Sequence, residues 1–439
     1  MIFAFALAFP RAASAAPEAQ VYPNVFLVAD AGAKSVKVWL VVKAGFRDET
    51  DAEPGGVAHY LEHLFIVGRG GDRKDSSPLL FANADANAFT TYDSTAYWHK
   101  FLYKPETADA DLETAFRFFC DRIAALDVSA DEARRERDVV MQEYDWRISS
   151  SPQTAFNDAN NKLLQPGHPL GRPGIGTKDS IRAYTLEDAR KFHDRLYAKN
   201  NVAFVVHGPV DPAKLKALAE KYLAPLPEKP IAGHESLDAL LHLEPMDALN
   251  EASDAKVKTK LVRLEKTVPA KLGERRVADA SGDVATAYMN SRLEGSAYDE
   301  LVDRLELARS VEISRSPIGG GAVWLTFDAE PEEGVTPATL RAAMEDYLSK
   351  LAKRGMDAAV VDRLKARAIG RLAEIADDKD GAASALAFHF AADGTYDEWQ
   401  RRAEVFAEVS PKSIQPMLDA LAGPGRELLG VLSPASAAN

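Results

Sequence analysis

Residues 55–71 read GGVAHYLEHLFIVGRGG and place two histidines and a glutamate inside an otherwise apolar stretch between glycine pairs. We interpret this stretch as a helix, because its apolar residues recur at helical spacing. His59 and His63 are four residues apart. They therefore lie one turn apart on the same helix face, with Cβ atoms about 5 to 6 Å apart. Both imidazole rings can reach one metal ion.

Glu62 adds a carboxylate to this pair of histidines. It lies three residues after His59 on a neighbouring line of the helix surface, close enough to take a proton from a water molecule without being a ligand. The order H-x-x-E-H is the inverse of the commoner H-E-x-x-H zinc motif. Zinc binds imidazole nitrogen together with a carboxylate oxygen, and a catalytic site keeps its fourth position for water.

Chance alone does not account easily for this motif. With 9 histidines and 66 acidic residues among 439, about 0.03 occurrences of His-x-x-acid-His are expected. The alternative interpretation is two satisfied helix histidines beside a solvated glutamate.

A later segment, ERDVVMQE, supplies carboxylates that can complete a metal site. Glu136 and Glu143 are seven residues apart, which is two helical turns, so both carboxylates point to one side. One of them can bind the metal while the other orients the ligands. A charged, solvated helix face is the alternative interpretation.

Length and charge limit the class of protein. At 439 residues the chain is expected to form two or more domains of about 200 residues each. The formal net charge of -13 argues against general nucleic-acid binding. Cys120 is the only cysteine, which excludes an intramolecular disulfide and a four-cysteine zinc site; we predict that it is a buried, inert thiol.

Strand-like and helix-like segments alternate along the chain and predict an α+β fold. Residues 21–30 and 35–45 read as paired strands, residues 87–102 as two strands with a turn near Asp93, and residues 202–211 as a buried strand. Residues 110–126 and 129–148 read as helices, the second with Ser129 as its N-cap. A proline-rich loop predicts a domain boundary near residue 230, and both halves carry a strand, a turn and a long helix.

The N-terminal residues 1–20 contain a short apolar run followed by Ala-Ser-Ala, which predicts a signal peptide and export to the periplasm, with a cytoplasmic location as the alternative. No other stretch reaches the roughly 20 apolar residues of a membrane span. We therefore expect no membrane partner.

The sequence resembles the family of zinc peptidases that contains pitrilysin, insulin-degrading enzyme and mitochondrial processing peptidase. The resemblance runs in order through residues 21–230, which would form the zinc-binding catalytic domain, and includes the segments AGFRDE, GGVAHYLEHLF, NAFTTYDSTAYW, ERDVVMQE, HPLGRPGIGT and LYAKNNVAFVVHGPVDP. It implies two similar α+β domains, each with an antiparallel-rich sheet packed against helices, that form half of a clamshell.

The resemblance also implies roles for individual residues. His59, His63 and Glu143 would hold Zn²⁺, and Glu62 would be the general base. Glu136 would orient the ligands without binding the metal itself. Asn87, Ala88 and Phe89 would lie on an edge strand that pairs with a bound peptide. The expected function is therefore a zinc metalloendopeptidase subunit that hydrolyses unfolded peptides or oligopeptides.

The second half, residues 231–439, departs from the family pattern at one point. The family carries an arginine and, seven residues later, a tyrosine that hold the substrate, whereas this chain has Val302 and Arg309 at those places. We expect a heterodimer in which a homologous subunit supplies the missing pair. The alternative is a non-catalytic peptide-binding or structural subunit.

Overall fold

A computed structural model describes residues 18–67, 85–231, 244–270, 274–318 and 322–435. Most of the predicted signal peptide lies outside these residues, and residues 18–20 belong to the first strand. The described part of the chain forms two β-sheets with helices packed against them. This arrangement confirms the α+β prediction.

Eleven strands lie in the described residues. They are β1 (Glu18–Tyr22), β2 (Val25–Ala29), β3 (Ser35–Val42), β4 (Asp85–Thr90), β5 (Thr95–Leu102), β6 (Val202–Gly208), β7 (Met246–Asp254), β8 (Leu261–Pro269), β9 (Ala308–Ile318), β10 (Ala322–Pro331) and β11 (Arg426–Pro434).

The α-helices of the described residues fall into two groups along the chain. The first group is α1 (Val57–Val67), α2 (Ala108–Ala124), α3 (Ala130–Ser150), α4 (Pro152–Leu164), α5 (Lys178–Ala183), α6 (Leu186–Leu196) and α7 (Pro212–Leu218). The second group is α8 (Arg275–Met289), α9 (Pro337–Arg354), α10 (Ala358–Asp377), α11 (Lys379–Ala391), α12 (Tyr396–Glu408) and α13 (Pro411–Ala422).

The two sheets share one topology. The first has the strand order β1-β2-β6-β3-β5-β4, and the second has the order β7-β11-β8-β10-β9. Without β1, each order places the first strand of its half beside the last, followed by the second, fourth and third. The first and last strands are parallel in both sheets, and the other pairs are antiparallel. The chain is therefore an internal repeat, as both halves of the sequence suggested.

Each sheet buries one face against the helices of its own half. In the first half, β-branched and aromatic side chains of the strands pack against α1, α2, α3 and α6, and β6 is buried at every residue. In the second half, the equivalent core lies between the second sheet and α8, α9 and α13. This packing fixes α1 and α3 against the same sheet.

The other face of each sheet is covered by a helix from the opposite half. Helix α11 packs its apolar residues, among them Leu386 and Phe390, on Phe26 and Trp39 of the first sheet. Helix α4 lies on the second sheet, where Asn160 donates a hydrogen bond of 2.9 Å to Glu265. The predicted boundary near residue 230 stays a prediction, because residues 232–243 are not described and these helices cross between the halves.

The structure contains several features predicted from the sequence and lacks one predicted strand pairing. The two strands predicted in residues 87–102 are the hairpin of β4 and β5, and Ser129 caps α3. Cys120 is buried, and burial raises the pKa of its thiol. The pairing predicted for residues 21–30 and 35–45 was wrong, since β6 lies between β2 and β3. A turn at Asn24, which has a φ of 62°, also splits the first segment into β1 and β2.

Candidate metal centre

The helix predicted from residues 55–71 is α1, which is buried along most of its length. His59 and Glu62 are buried, whereas His63 is partly exposed, and the two imidazole ring centroids are 4.9 Å apart. The remaining side chains of α1 are largely apolar and pack in the first core. Burial of the apolar face therefore sets the rotation of α1 and directs both imidazoles to one side.

Helix α3 brings Glu143 to the same place. Its Oε2 atom lies 3.5 Å from His59 Nε2 and 3.3 Å from His63 Nε2. One donor atom from each of the three side chains falls in a group whose members all lie within 4.8 Å of one another. For tetrahedral zinc with ligands at about 2.0 to 2.1 Å, neighbouring donor atoms are about 3.4 Å apart. The two imidazole nitrogens and the carboxylate oxygen therefore fit a zinc ion.

Glu136 lies two turns earlier on α3 and contacts the other nitrogen of the second histidine. Its Oε2 atom is 3.3 Å from His63 Nδ1. Two carboxylates of one helix thus face the two ring nitrogens of His63. A carboxylate in this position fixes the orientation of a ligating imidazole.

The electrostatics of the site favour one charge distribution when no metal is bound. Burial lowers the pKa of His59 to about 3. Burial also lowers the pKa of His63, but hydrogen bonds to Glu136 and Glu143 outweigh it and raise the pKa to about 9. For Glu143, burial raises the pKa, and the His63 hydrogen bond with the His59 and Arg147 charges brings it down to about 2. Glu143 is therefore a carboxylate, as a metal ligand must be.

Glu62 differs from Glu143 because it contacts a neutral group. The hydroxyl of Thr90, on β4, donates a hydrogen bond of 2.5 Å to Glu62 Oε2. Burial raises the pKa of Glu62, and the Thr90 hydrogen bond works against this shift. A carboxylate whose pKa is raised is a better proton acceptor than an exposed one at neutral pH.

Strand β4 forms an edge of the first sheet, because it pairs only with β5 among the described strands. Asn87, Ala88 and Phe89 all lie on it. Ala88 packs toward the core that contains α1, whereas the ring of Phe89 stacks on Phe388 of α11 at 5.4 Å. The backbone edge of β4 is thus next to the site, while these two side chains point to opposite faces.

A cleft of about 890 Å³ contains the candidate metal centre. One wall is α1 and β4, and the other is α3 with Val139, Gln142 and Trp146. Trp146 is 68% exposed, and Val139 is also exposed. An extended peptide can therefore lie between the edge strand and α3.

Three residues beside the site were not predicted from the sequence. They are Thr90, which contacts Glu62; Arg147, whose guanidinium pairs with Glu143 Oε1; and Glu49, which binds the start of α1. A sequence signal existed for Arg147, because it lies four residues after Glu143 and such pairs meet on a helix. Thr90 also follows Ala88 by two residues, which places both on one face of a strand.

In the second half, positions 302 and 309 are a valine and an arginine, where an arginine and a tyrosine were expected from the family resemblance. Val302 is partly buried against the second core. Arg309 is half exposed and pairs with Glu330 at 3.7 Å and Glu332 at 3.3 Å. These contacts are those of a surface arginine.

Two family models match consecutive parts of the chain. Residues 24–178 match the model described as insulinase, peptidase family M16. Residues 183–368 match the model described as the peptidase M16 inactive domain. The chain belongs to peptidase family M16. The resemblance stated from the sequence is thereby confirmed.

Curated relatives of this M16 chain include named zinc proteases. The chain is 29% identical over 346 residues to the zinc protease PqqE of Helicobacter pylori, a match that covers 75% of this chain and 72% of that protein. It is 32% identical over 216 residues to a probable mitochondrial-processing peptidase subunit beta of Schizosaccharomyces pombe. The second match covers 48% of this chain and 45% of the yeast protein, less than half of its length.

Solved structures share the fold. A protease from Helicobacter pylori superposes with a TM-score of 0.76 at 22% identity and covers 93% of this chain and 97% of that one. The periplasmic protease PqqL from Escherichia coli superposes with a TM-score of 0.75 at 20% identity, covering 94% of this chain and 47% of PqqL. The M16 chain thus has the fold of half of such a clamshell. Among its described residues, no helix has the length and apolar character to cross a membrane.

Proposed function

We propose that this M16 chain is the zinc-bearing subunit of a metalloendopeptidase that hydrolyses unfolded peptides or oligopeptides. The observation that carries the proposal is the position of Glu143 Oε2, 3.5 Å and 3.3 Å from the Nε2 atoms of His59 and His63. The zinc protease relatives support it. The ligands would be these three residues, with Glu136 holding His63.

Zinc held by these groups would supply Lewis acidity, which lowers the pKa of a water molecule to about 7 and polarises a carbonyl. Glu62 would accept one proton from the attacking water as its oxygen bonds to the peptide carbon. The C–N bond then breaks, and Glu62 gives the same proton to the leaving nitrogen. Thr90 would hold Oε2 of Glu62, which leaves Oε1 as the atom that carries the proton.

The substrate strand would be β4. Its outer edge, which pairs with no other described strand, can form main-chain hydrogen bonds with an extended peptide at Asn87, Ala88 and Phe89 irrespective of the peptide sequence. We therefore expect broad selection among unfolded peptides, with preferences set by side chains of the cleft.

A partner subunit would complete the enzyme. Val302 and Arg309 do not provide the arginine and tyrosine that the family uses to hold substrate, so a homologous subunit would supply them. This chain superposes on 47% of PqqL of Escherichia coli, so a PqqL polypeptide is long enough for a second unit of this size. PqqL is a periplasmic protease, which supports the predicted export of this chain, with the cytoplasm as the alternative location.

The test compares metal content and peptide hydrolysis in the wild type and in Glu62→Gln, with Glu187→Gln on α6 as the matched surface control. We expect one zinc per chain in all three proteins. Glu62→Gln should lower kcat by about 10²- to 10⁴-fold, the usual contribution of a general acid or base, while Glu187→Gln should keep it. Full activity of the lone chain would contradict the need for a partner, and absence of zinc would contradict the enzyme.

A second candidate function is a peptide-binding subunit without catalysis. It is favoured by the match of residues 183–368 to the inactive-domain model. A zinc-loaded protein that binds peptides but cleaves none, with a homologous subunit present, would support this alternative.

A further inference from the structure

Glu49 is a buried acid that the proposed mechanism does not use. It is 6% exposed and lies in the loop that precedes α1. Both of its carboxylate oxygens accept a hydrogen bond of 3.0 Å from the backbone N–H of Gly56. Oε1 also accepts a 3.1 Å bond from the N–H of Ala58. The carboxylate is therefore attached to the first turn of α1.

The first turn of α1 depends on acceptors from outside the helix. The initial N–H groups of a helix have no partner within it, and negative charge is favourable at that end. Helix α1 has no acidic residue in its own first turn. Glu49 supplies both the acceptors and the negative charge. The residue after Ala58, whose N–H donates to Glu49, is His59.

A second contact holds the same turn from its carbonyl side. The hydroxyl of Tyr184 donates to the carbonyl oxygens of Gly55 at 3.0 Å and Ile175 at 3.1 Å. Gly56 has a φ of +90°, and a Cβ there would lie 2.2 Å from the Tyr184 hydroxyl oxygen. The start of α1 is therefore packed closely between Glu49 and Tyr184.

Burial makes this carboxylate unfavourable for stability. It raises the pKa of Glu49 to about 7, although the bonds from Gly56 and Ala58 and the charge of Arg172 act in the opposite direction. A buried ionised group is expensive unless it is well paired. The hydrogen bonds from Gly56 and Ala58 offset part of this cost and attach the carboxylate to the first turn of α1.

We propose that Glu49 is a positioning residue of the metal centre, which fixes the first turn of α1 and thereby the distance of His59 from Glu143. This inference rests on the proposed zinc site. Glu49 does not touch metal or substrate and acts through the backbone of Gly56 and Ala58.

The experiment measures zinc affinity of the full chain by competition with a chelator in wild type, Glu49→Gln and Glu49→Asp. The glutamine amide keeps the size and one acceptor oxygen, but it removes the charge and places an NH2 group where Oε2 accepts from Gly56. We therefore expect zinc affinity to fall about tenfold, as for other residues that support metal ligands. Aspartate keeps the charge and should recover part of this loss. Amide exchange in residues 56–60 should become faster in Glu49→Gln with no metal present.

Glu53 provides a matched control in the same loop. Its side chain is 8% exposed, accepts a 2.8 Å bond from the N–H of Thr50 and pairs with Arg195, but it has no bond to α1. Glu53→Gln should leave zinc affinity within about twofold of wild type. Equal zinc affinity in Glu49→Gln and wild type would overturn the positioning role alone. A wild-type chain that takes up no zinc would overturn the proposed function as well.

Discussion

The glutamates around the metal centre differ in their partners, and the partners separate their chemistry. Glu143 faces two imidazoles and Arg147, so it is a carboxylate ready to bind a cation. Glu62 is buried and accepts a hydrogen bond from Thr90. Burial raises the pKa of Glu62, which suits this carboxylate to proton transfer. Glu49 faces backbone N–H groups and binds no cation. One residue type would thus serve as ligand, base and anchor in the proposed enzyme according to its surroundings.

The titration of Glu49 predicts how stability depends on pH. Its pKa rises from an ordinary 4.5 to about 7 in the folded protein. Its stabilising contribution is therefore complete below pH 4.5 and is lost as the pH rises through 7. Arg172 limits this shift and Glu53 increases it. Relative to wild type, Glu49→Gln should gain up to about 3 kcal/mol between pH 5 and pH 8.5.

Urea unfolding of both metal-free proteins at several pH values measures this difference. Unfolding free energies that stay parallel from pH 5 to pH 8.5 would contradict the raised pKa.

The sequence was sufficient to identify residues whose partners lie close in the chain. His59, Glu62 and His63 are related by helical spacing alone, and so are Glu136 and Glu143. Thr90 is 28 residues from Glu62, and Glu49 reaches α1 across a loop. Their roles depend on how β4 and the loop pack against α1. No local pattern encodes that packing.

At the scale of elements, helix α3 supplies both carboxylates that contact His63. It has 21 residues and starts at a capping box in which Ser129 and Glu132 bond each other's backbone N–H groups. Glu136 and Glu143 then lie on the same side and face the two nitrogens of His63. One helix thereby sets both contacts.

Removal of the α3 cap should affect stability without changing the metal site. Ser129→Ala removes the side-chain acceptor for the N–H of Glu132, which should lower the unfolding free energy by about 1 kcal/mol. Glu136 is already two turns from the cap, so zinc affinity should stay within about twofold. Urea unfolding and chelator competition measure the two quantities. A large fall in zinc affinity would show that the start of α3 moves the ligands.

The ends of strands and helices were predicted best where a turn residue or a cap lies next to them in the sequence. The β4–β5 hairpin and the start of α3 fall close to where the sequence placed them. The insertion of β6 between β2 and β3 was missed, because that pairing joins residues about 180 apart along the chain. Strand order is a property of tertiary packing and leaves no signature in either strand alone.

At the scale of the whole molecule, the two halves repeat one topology but differ in chemistry. Helix α8 is the counterpart of α1, and β9 is the counterpart of β4. Helix α8 carries Asp279 and Asp283, four residues apart, and Arg315 of β9 pairs with Asp283 at 2.9 Å. The second half thus has an ion pair between the equivalent elements, whereas the first has the candidate metal ligands.

The exchange of α4 and α11 between halves predicts that both sheets unfold together. Leu386 of α11 is fully buried against the first sheet but belongs to the second half of the chain. Leu386→Ala should lower the unfolding free energy by about 2 to 5 kcal/mol. Both sheets should then unfold at a lower urea concentration. Amide exchange across a urea series reports β3 and β10 separately, and we expect equal shifts of both midpoints. Leu305→Ala, at a residue 44% exposed, is the control and should move neither midpoint. If only one sheet responded to Leu386→Ala, the halves would be independent folding units, and the exchanged helices would add contact without coupling.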